Sequence, residues 1–216
     1  MPDTYVHHSI TTEPHGWSAA AKALTGAGAD RLSAAGGSLF GIWRSQIGLP
    51  RDELTAISRW EHAEAAQGAT EVLVEGIDGI VTTSAERLVP TLRPGDAAAP
   101  PRRQGNYAFR WFETKDENWD EFLALCEAAW PGFEAAYDSE VIGLWRVLDS
   151  SSTIRSLLLT RRPDLSMWER SKIPANEEEA EVRRKLSRRY DLAEWTRVYT
   201  TTLLTAEDRE DTVRWT

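Results

Sequence analysis

Tyr107 to Glu113 is rich in aromatic residues and reads as a strand. Asp116 then offers an N-cap, and Trp119, Phe122, Leu123, Cys126, Ala129, Trp130 and Phe133 follow at the i, i+3, i+4, i+7 spacing of a helix with one buried face. Pro131-Gly132 interrupts that stripe and is expected to kink or loosen its last turns. Glu140 to Leu148 and Thr153 to Arg161 read as two more strands, joined by a tight hairpin at Asp149-Ser150-Ser151-Ser152. Pro163-Asp164-Leu165 opens another helical region. Asn176 caps a further helix, with Glu177, Glu178 and Glu179 in its first turn and Arg183, Arg184, Lys185, Arg188 and Arg189 toward its negative end. Glu179 with Arg183 and Glu181 with Lys185 are expected to pair one turn apart. A strand from Trp195 to Leu204 closes the order β-α-β-β-α-β.

The first half of the chain repeats this pattern at an offset of 102 residues. Tyr5 falls on Tyr107, Trp17 on Trp119, Gly41-Ile42-Trp43-Arg44 on Gly143-Leu144-Trp145-Arg146, and Arg59 on Arg161. Tryptophan is scarce in most proteins, so two Trp pairs and this tetrad at one offset mark an internal duplication. The first copy has a poorer helix, interrupted by Gly26 and Gly28, and its last strand is expected at Glu86 to Arg93. The stretch Glu71-Val72-Leu73-Val74-Glu75 suits either a short extra strand or part of the second helix. A Pro- and Ala-rich segment separates the copies, giving a first unit at residues 1–94, a linker at 95–105 and a second unit at 106–216.

A four-stranded antiparallel sheet with both helices on one face leaves its other face bare. Several strands are apolar on both alternations, as with Ile142 and Leu144 against Val141, Trp145 and Val147. Each sheet is therefore expected to be buried on both faces, with the other copy as its partner. The fold class expected is α+β, two such units in one chain closed as a pseudo-dimeric α+β barrel.

Composition narrows the functional classes. A single cysteine, Cys126, rules out a disulfide framework and Cys-based zinc spacing. The N-terminus lacks a basic segment followed by an apolar run, and no apolar stretch is long enough to span a bilayer, so a cytoplasmic protein is expected. The net charge is −9 and the Lys and Arg residues are interleaved with Asp and Glu, which argues against nucleic acid as a partner. No nucleophile elbow, P-loop, dinucleotide fingerprint or paired-carboxylate motif is present. The acidic-then-basic run from Glu177 to Arg189 reads as a solvated helix face.

The segments Tyr107-Ala108-Phe109-Arg110-Trp111-Phe112 with Trp119-Asp120-Glu121-Phe122, and Gly41-Ile42-Trp43-Arg44-Ser45-Gln46-Ile47-Gly48 through Arg59-Trp60-Glu61, resemble the NIPSNAP family. Glu86 to Pro94 is similar to the way such units end. The resemblance covers about half of the chain. It implies ferredoxin-like units of the dimeric α+β barrel superfamily, which includes cofactor-free oxygenases, haem-binding peroxidases and dismutases, and proteins of no known reaction. The second copy departs from the pattern, with Arg161-Arg162-Pro163 where the first has Arg59-Trp60-Glu61. Haem enzymes of the superfamily with two fused units ligate iron through a histidine of the second, and this second copy has none; His8 and His62 are left as nonstandard ligands. No cofactor and no metal site is expected, because His7 and His8 point to opposite faces of a strand and His15 and His62 have no ligand at a recognisable spacing.

His8 and Arg110 are equivalent at the offset of 102, on the alternation opposite Tyr107, Phe109 and Trp111. With that aromatic row packed on the helices, His8 and Arg110 project into a shared lumen, His8 as a general base and Arg110 holding an oxyanion. The alternative is that both are structural. Trp43 and Trp145, each two residues after a glycine, together with Trp60 and Arg59, line either a ligand site or simply the core. Three functions remain open: binding of a small, mainly apolar molecule in the lumen, a noncatalytic interaction module whose barrel its own side chains fill, and a cofactor-free oxygenase or isomerase. An intramolecular pseudo-dimer is expected, with a homo-oligomer open. Positions that differ between the copies, His8 against Arg110 and Trp60 against Arg162, are the first candidates for function.

Overall fold

The computed structural model describes residues 3–148 and 153–215, and the hairpin expected at residues 149–152 lies outside them. The chain divides into two compact units. Unit 1 takes the residues up to 90, residues 95–104 and those from 199 onward; unit 2 takes residues 91–94 and 105–198.

Unit 1 runs β1 (Thr4–Thr12), α1 (Trp17–Ala23), a π turn (Leu24–Gly28), α2 (Ala29–Ala34), β2 (Gly37–Ile47), β3 (Glu53–Trp60), α3 (Ala69–Val74) and β4 (Ile80–Arg93). The stretch with two possible readings is the short helix α3, and β4 begins six residues before the strand expected at Glu86. Arg31 explains why so short a helix persists, since its guanidinium donates to the last carbonyls of α3, at Val72 (3.0 Å) and Leu73 (3.1 Å). Gly28 serves the same packing: a Cβ there would lie 2.8 Å from the Leu73 carbonyl oxygen. Gly28 therefore does more than weaken the helix, because it lets the π turn and α2 pack close onto α3. The segment 95–104 docks on unit 1 as well, with Arg59 donating to the Ala98 carbonyl (3.4 Å) and the Glu207 amide to the Arg102 carbonyl (2.7 Å).

Unit 2 runs β5 (Asn106–Thr114), a 3₁₀ turn (Asp116–Asn118), α4 (Trp119–Tyr137), β6 (Glu140–Val147), β7 (Ile154–Arg162), α5 (Leu165–Arg170), α6 (Glu177–Asp191) and β8 (Ala193–Leu203). Asp116 enters the 3₁₀ turn and caps nothing with its side chain. Pro131 sits inside α4, which continues unbroken to Tyr137. Asn176 does cap α6, accepting from the Glu179 amide at 2.8 Å. Glu179 pairs with Arg170 (2.7 Å) in place of Arg183, and Glu181 pairs with Lys185 (3.7 Å) as expected.

Both units pair their strands in the same register. Tyr5 faces Arg59 and His8 faces Ala56 in unit 1, as Tyr107 faces Arg161 and Arg110 faces Leu158 in unit 2. The register shift between Leu39 and Gly41 recurs between Val141 and Gly143. The hydrogen-bonded order is β1-β3-β2-β8-β5-β7-β6-β4, closing from β4 to β1. Two strands are divided between the units: β4 pairs with β1 in unit 1 before its last residues join unit 2, and β8 ends beside β2 in unit 1.

Candidate functional site

Which face of each sheet meets the helices decides where the site lies. In unit 2, Phe112 of β5 shares a core with Phe122, Cys126, Trp130 and Phe133 of α4 and Val182 of α6. Ala108, Arg110 and Phe112 are therefore the helix-side row, and Tyr107, Phe109 and Trp111 take the other face. In unit 1, Val6 and Ile10 pack with Trp17, Leu24, Leu32 and Leu73, so His8 is on the helix side too. This reverses the alternation expected from the sequence, which turned His8 and Arg110 away from the helices. The reason is steric. Trp130 and Phe133 stand over the sheet on the helix side, and the small Ala108 leaves room for them that a row of Tyr, Phe and Trp would not.

In unit 1 this space is filled. His8 is fully buried, its Nδ1 2.8 Å from Thr70 Oγ1 of α3 and its Nε2 2.9 Å from Ser58 Oγ. Trp60 Nε1 donates to the same Ser58 oxygen at 2.9 Å. Trp60, Ser58, His8 and Thr70 thus form one hydrogen-bonded group in which each of these polar atoms has a partner. Burial, and the neighbouring His7 after it, push the His8 pKa down to about 3. Trp60 lies flat on Gly37, where a Cβ would come within 2.8 Å of the indole. Of the remaining candidates, Arg59 is half-buried beside Asp3 (3.6 Å). Trp43 and Trp145 are fully buried on the face away from the helices, each with its ring across the glycine two residues earlier, so the space beside Gly41 and Gly143 is taken by the tryptophan of the same strand. Among the described residues no group of three or more His, Cys, Asp and Glu side chains is arranged to hold a metal ion.

In unit 2 the equivalent space is open. A cavity of about 350 Å³ lies between the sheet and helices α4, α5 and α6. Its floor is Arg110 of β5 with Thr160 and Arg162 of β7, at the positions of His8, Ser58 and Trp60. Arg162 keeps the hydrogen bond of Trp60, donating from Nη1 to Thr160 Oγ1 at 3.2 Å, but a guanidinium does not fill the volume of an indole. Trp130 and Phe133 of α4 and Trp168 of α5 supply aromatic walls, and Arg183 and Arg189 enter from α6. The Arg162 guanidinium stacks 4.4 Å from the Trp168 ring centroid, and Arg110 lies 5.8 Å from the same ring.

The electrostatics are one-sided. Among the described residues no Asp or Glu lines the cavity. Arg162 and Arg189 are each 8% exposed, and in both the Nε hydrogen has no partner; Trp130, 3% exposed, has an unpartnered Nε1. Burial, then the repulsion of Arg189 and Arg183, lowers the Arg110 pKa to about 10, and burial with the nearby Arg110 does the same to Arg162. Both remain cations at neutral pH. Unpaired buried charges are costly unless something compensates them. Among the described residues the lining holds no histidine, cysteine or methionine to serve as axial ligand of a haem iron, and its one tyrosine, Tyr190, is exposed.

Of the residues singled out from sequence, only Arg110 lines this cavity, and Arg162 enters through its contrast with Trp60. Arg189, read as part of a solvated face, is buried. The overlooked signal was the spacing of Arg183, Leu186, Ser187 and Tyr190, which is the i, i+3, i+4, i+7 stripe of one face of α6, and all four line the cavity.

Solved structures share this architecture. A proposed monooxygenase from Lactobacillus acidophilus NCFM superposes with a TM-score of 0.60 at 12% identity, covering 94% of each chain. An anthrone oxidase-like protein gives 0.60 at 14%, over 94% of this chain and 92% of its own. Chlorite dismutase from Candidatus Nitrospira defluvii gives 0.59 at 7%, over 93% and 90%. The chain has the dimeric α+β barrel fold. At such identities the likeness establishes the fold alone. No family model and no curated protein matches the sequence. Among the described residues no helix is long and apolar enough to cross a membrane.

Proposed function

We propose that this protein, a NIPSNAP-like member of the fold, binds a small organic anion in the cavity of unit 2, its acid group held by Arg110, Arg162 and Arg189 and its apolar body against Trp130, Phe133 and Trp168. The observation that carries this reading is the set of buried guanidiniums with unpartnered Nε hydrogens in a cavity without a carboxylate. A bound acid would supply the missing acceptors and the missing charge together. The ligand is thus better described as anionic with an apolar body than as mainly apolar, and its place is between sheet and helices.

The fold neighbours bring oxygenase chemistry into view, but His8 does not serve it as a base here. Both of its ring nitrogens are engaged and its proton affinity is strongly reduced. Arg110 is carried forward as an anion-binding residue. The test is a thermal-shift comparison of benzoate with its neutral relative benzyl alcohol, on the native chain and on the variant R110M. Benzoate should raise the melting temperature of the native chain and fail to do so in R110M. Equal shifts from benzyl alcohol and benzoate would remove the anionic reading.

A further inference from the structure

We infer that the headgroup held in the unit 2 cavity is doubly charged, a phosphoryl group on an aromatic or conjugated body; this rests on the anion-binding reading above and goes beyond it in naming the ligand class. Charge is the first argument. The cavity receives Arg110 and Arg162 from the sheet, Arg183 and Arg189 from α6, and Lys172 from the turn after α5. Lys172 is already compensated by Glu169 at 2.8 Å. The two groups that α4 presents among the walls named above, Trp130 and Phe133, carry no charge. A monocarboxylate balances one guanidinium and leaves the rest in mutual repulsion, whereas a dianion balances two.

Donor placement is the second argument. The unpartnered Nε hydrogens belong to different elements, Arg162 to β7 and Arg189 to α6, while Arg110 rises from β5. A planar carboxylate is matched by a single guanidinium fork. A phosphoryl group presents three oxygens in a tetrahedral arrangement and accepts from donors arriving from several sides. Thr160 and Ser187 add hydroxyl donors on the floor and on α6. The body of the ligand has its own wall, because Trp168 already stacks on Arg162 and Trp130 and Phe133 stand nearby.

Isothermal titration calorimetry of the full chain separates these points with four probes: phenyl phosphate, benzenesulfonate, benzoate and inorganic phosphate. Benzenesulfonate has three oxygens and one charge, benzoate two oxygens and one charge. At pH 8 phenyl phosphate should bind at least about tenfold more tightly than either monoanion. At pH 5, below the second phosphate pKa of about 6, it should fall to the level of benzenesulfonate. The groups facing the headgroup from the sheet, from α6 and from the turn after α5 are the four arginines, Lys172 and Tyr190, with no histidine or carboxylate, so the ligand itself carries the pH dependence. The variant R162M, checked for folding by circular dichroism, should lose at least about tenfold in phenyl phosphate affinity. Equal binding of benzoate or benzenesulfonate at pH 8 overturns the dianion while leaving the anion reading in place. Inorganic phosphate binding as tightly as phenyl phosphate overturns the aromatic body. Failure of all four probes removes both readings.

Discussion

Unit 1 and unit 2 turn the same strand positions toward their helices and do opposite things with the space between. In unit 1 an indole, an imidazole and two hydroxyls close it with every polar atom satisfied. In unit 2 four guanidiniums line a cavity, and two of them, Arg162 and Arg189, have an Nε hydrogen to spare. The strand registers coincide, so the sheets are not what separates the two, although unit 1 lays the short α3 over this space and unit 2 lays α5 and α6. The difference comes down to a few side chains: Trp60 against Arg162, His8 against Arg110, and Gly37, which makes room for the indole, against Ser139. A slimmer charged side chain in place of a large buried one, under a different helical cover, exchanges a core for a site. The cost is an uncompensated charge that a ligand can relieve.

The largest expected effect tests that contrast directly. Trp60→Ala removes a fully buried indole and should cost about 3–5 kcal/mol, whereas Arg162→Ala removes a poorly compensated buried charge and should leave stability unchanged or raise it. Urea midpoints of the two variants decide; comparable losses would mean that Arg162 is as structural as Trp60.

Next comes acid sensitivity. The His8 pKa is held near 3 in the folded protein and is about 6.5 in an unfolded chain, so between these values only the unfolded state takes up the proton. The stability His8 contributes is whole above pH 6.5 and is lost as the pH falls toward 3, a drop on the order of 4 kcal/mol. Glu179, lowered to about 2 chiefly by its hydrogen bond from Arg170, acts in a more acid window, with its contribution present above the ordinary carboxylate range and lost toward pH 2. Hydrogen exchange followed from pH 7 to pH 3 should therefore show β1 and α3 loosening before α6. Simultaneous loosening would contradict the neutral, buried imidazole.

A smaller effect comes from making unit 2 resemble unit 1. Arg162→Trp alone should overpack against Ser139 and cost about 1–3 kcal/mol. Adding Ser139→Gly should recover that loss and close the cavity, which a melting curve and the disappearance of phenyl phosphate binding would register together. The smallest is the helix cap: Asn176→Ala should cost about 1 kcal/mol, seen as a shifted denaturation midpoint.

Much of the fold was legible because the signals were local. The strands of unit 2 fall within a residue or two of the expected ranges, and Asn176 caps the helix it was expected to cap. The offset of 102 residues, read from Tyr and Trp positions, recurs in the pairing registers and in both register shifts. The face assignment was not legible, since a sheet buried on both sides carries apolar residues on both alternations and only the bulk of Trp130 and Phe133 settles which row fits beneath them. The same limit hid Arg189. An acidic-then-basic run looks solvated until the helix it belongs to is seen packed over a cavity. The contrast between Trp60 and Arg162, by comparison, was visible beside the matched pair Arg59 and Arg161.

The division of β8 between the units also bears on synthesis. Residues 91–198 hold all of unit 2, whereas unit 1 waits for the stretch that begins at Tyr199. On the ribosome the first unit to be translated is thus the last to be whole: β2 has no partner on one edge until Thr200 to Leu203 emerge. A chain released before those residues would carry its cavity intact and leave the better-filled unit with an open seam.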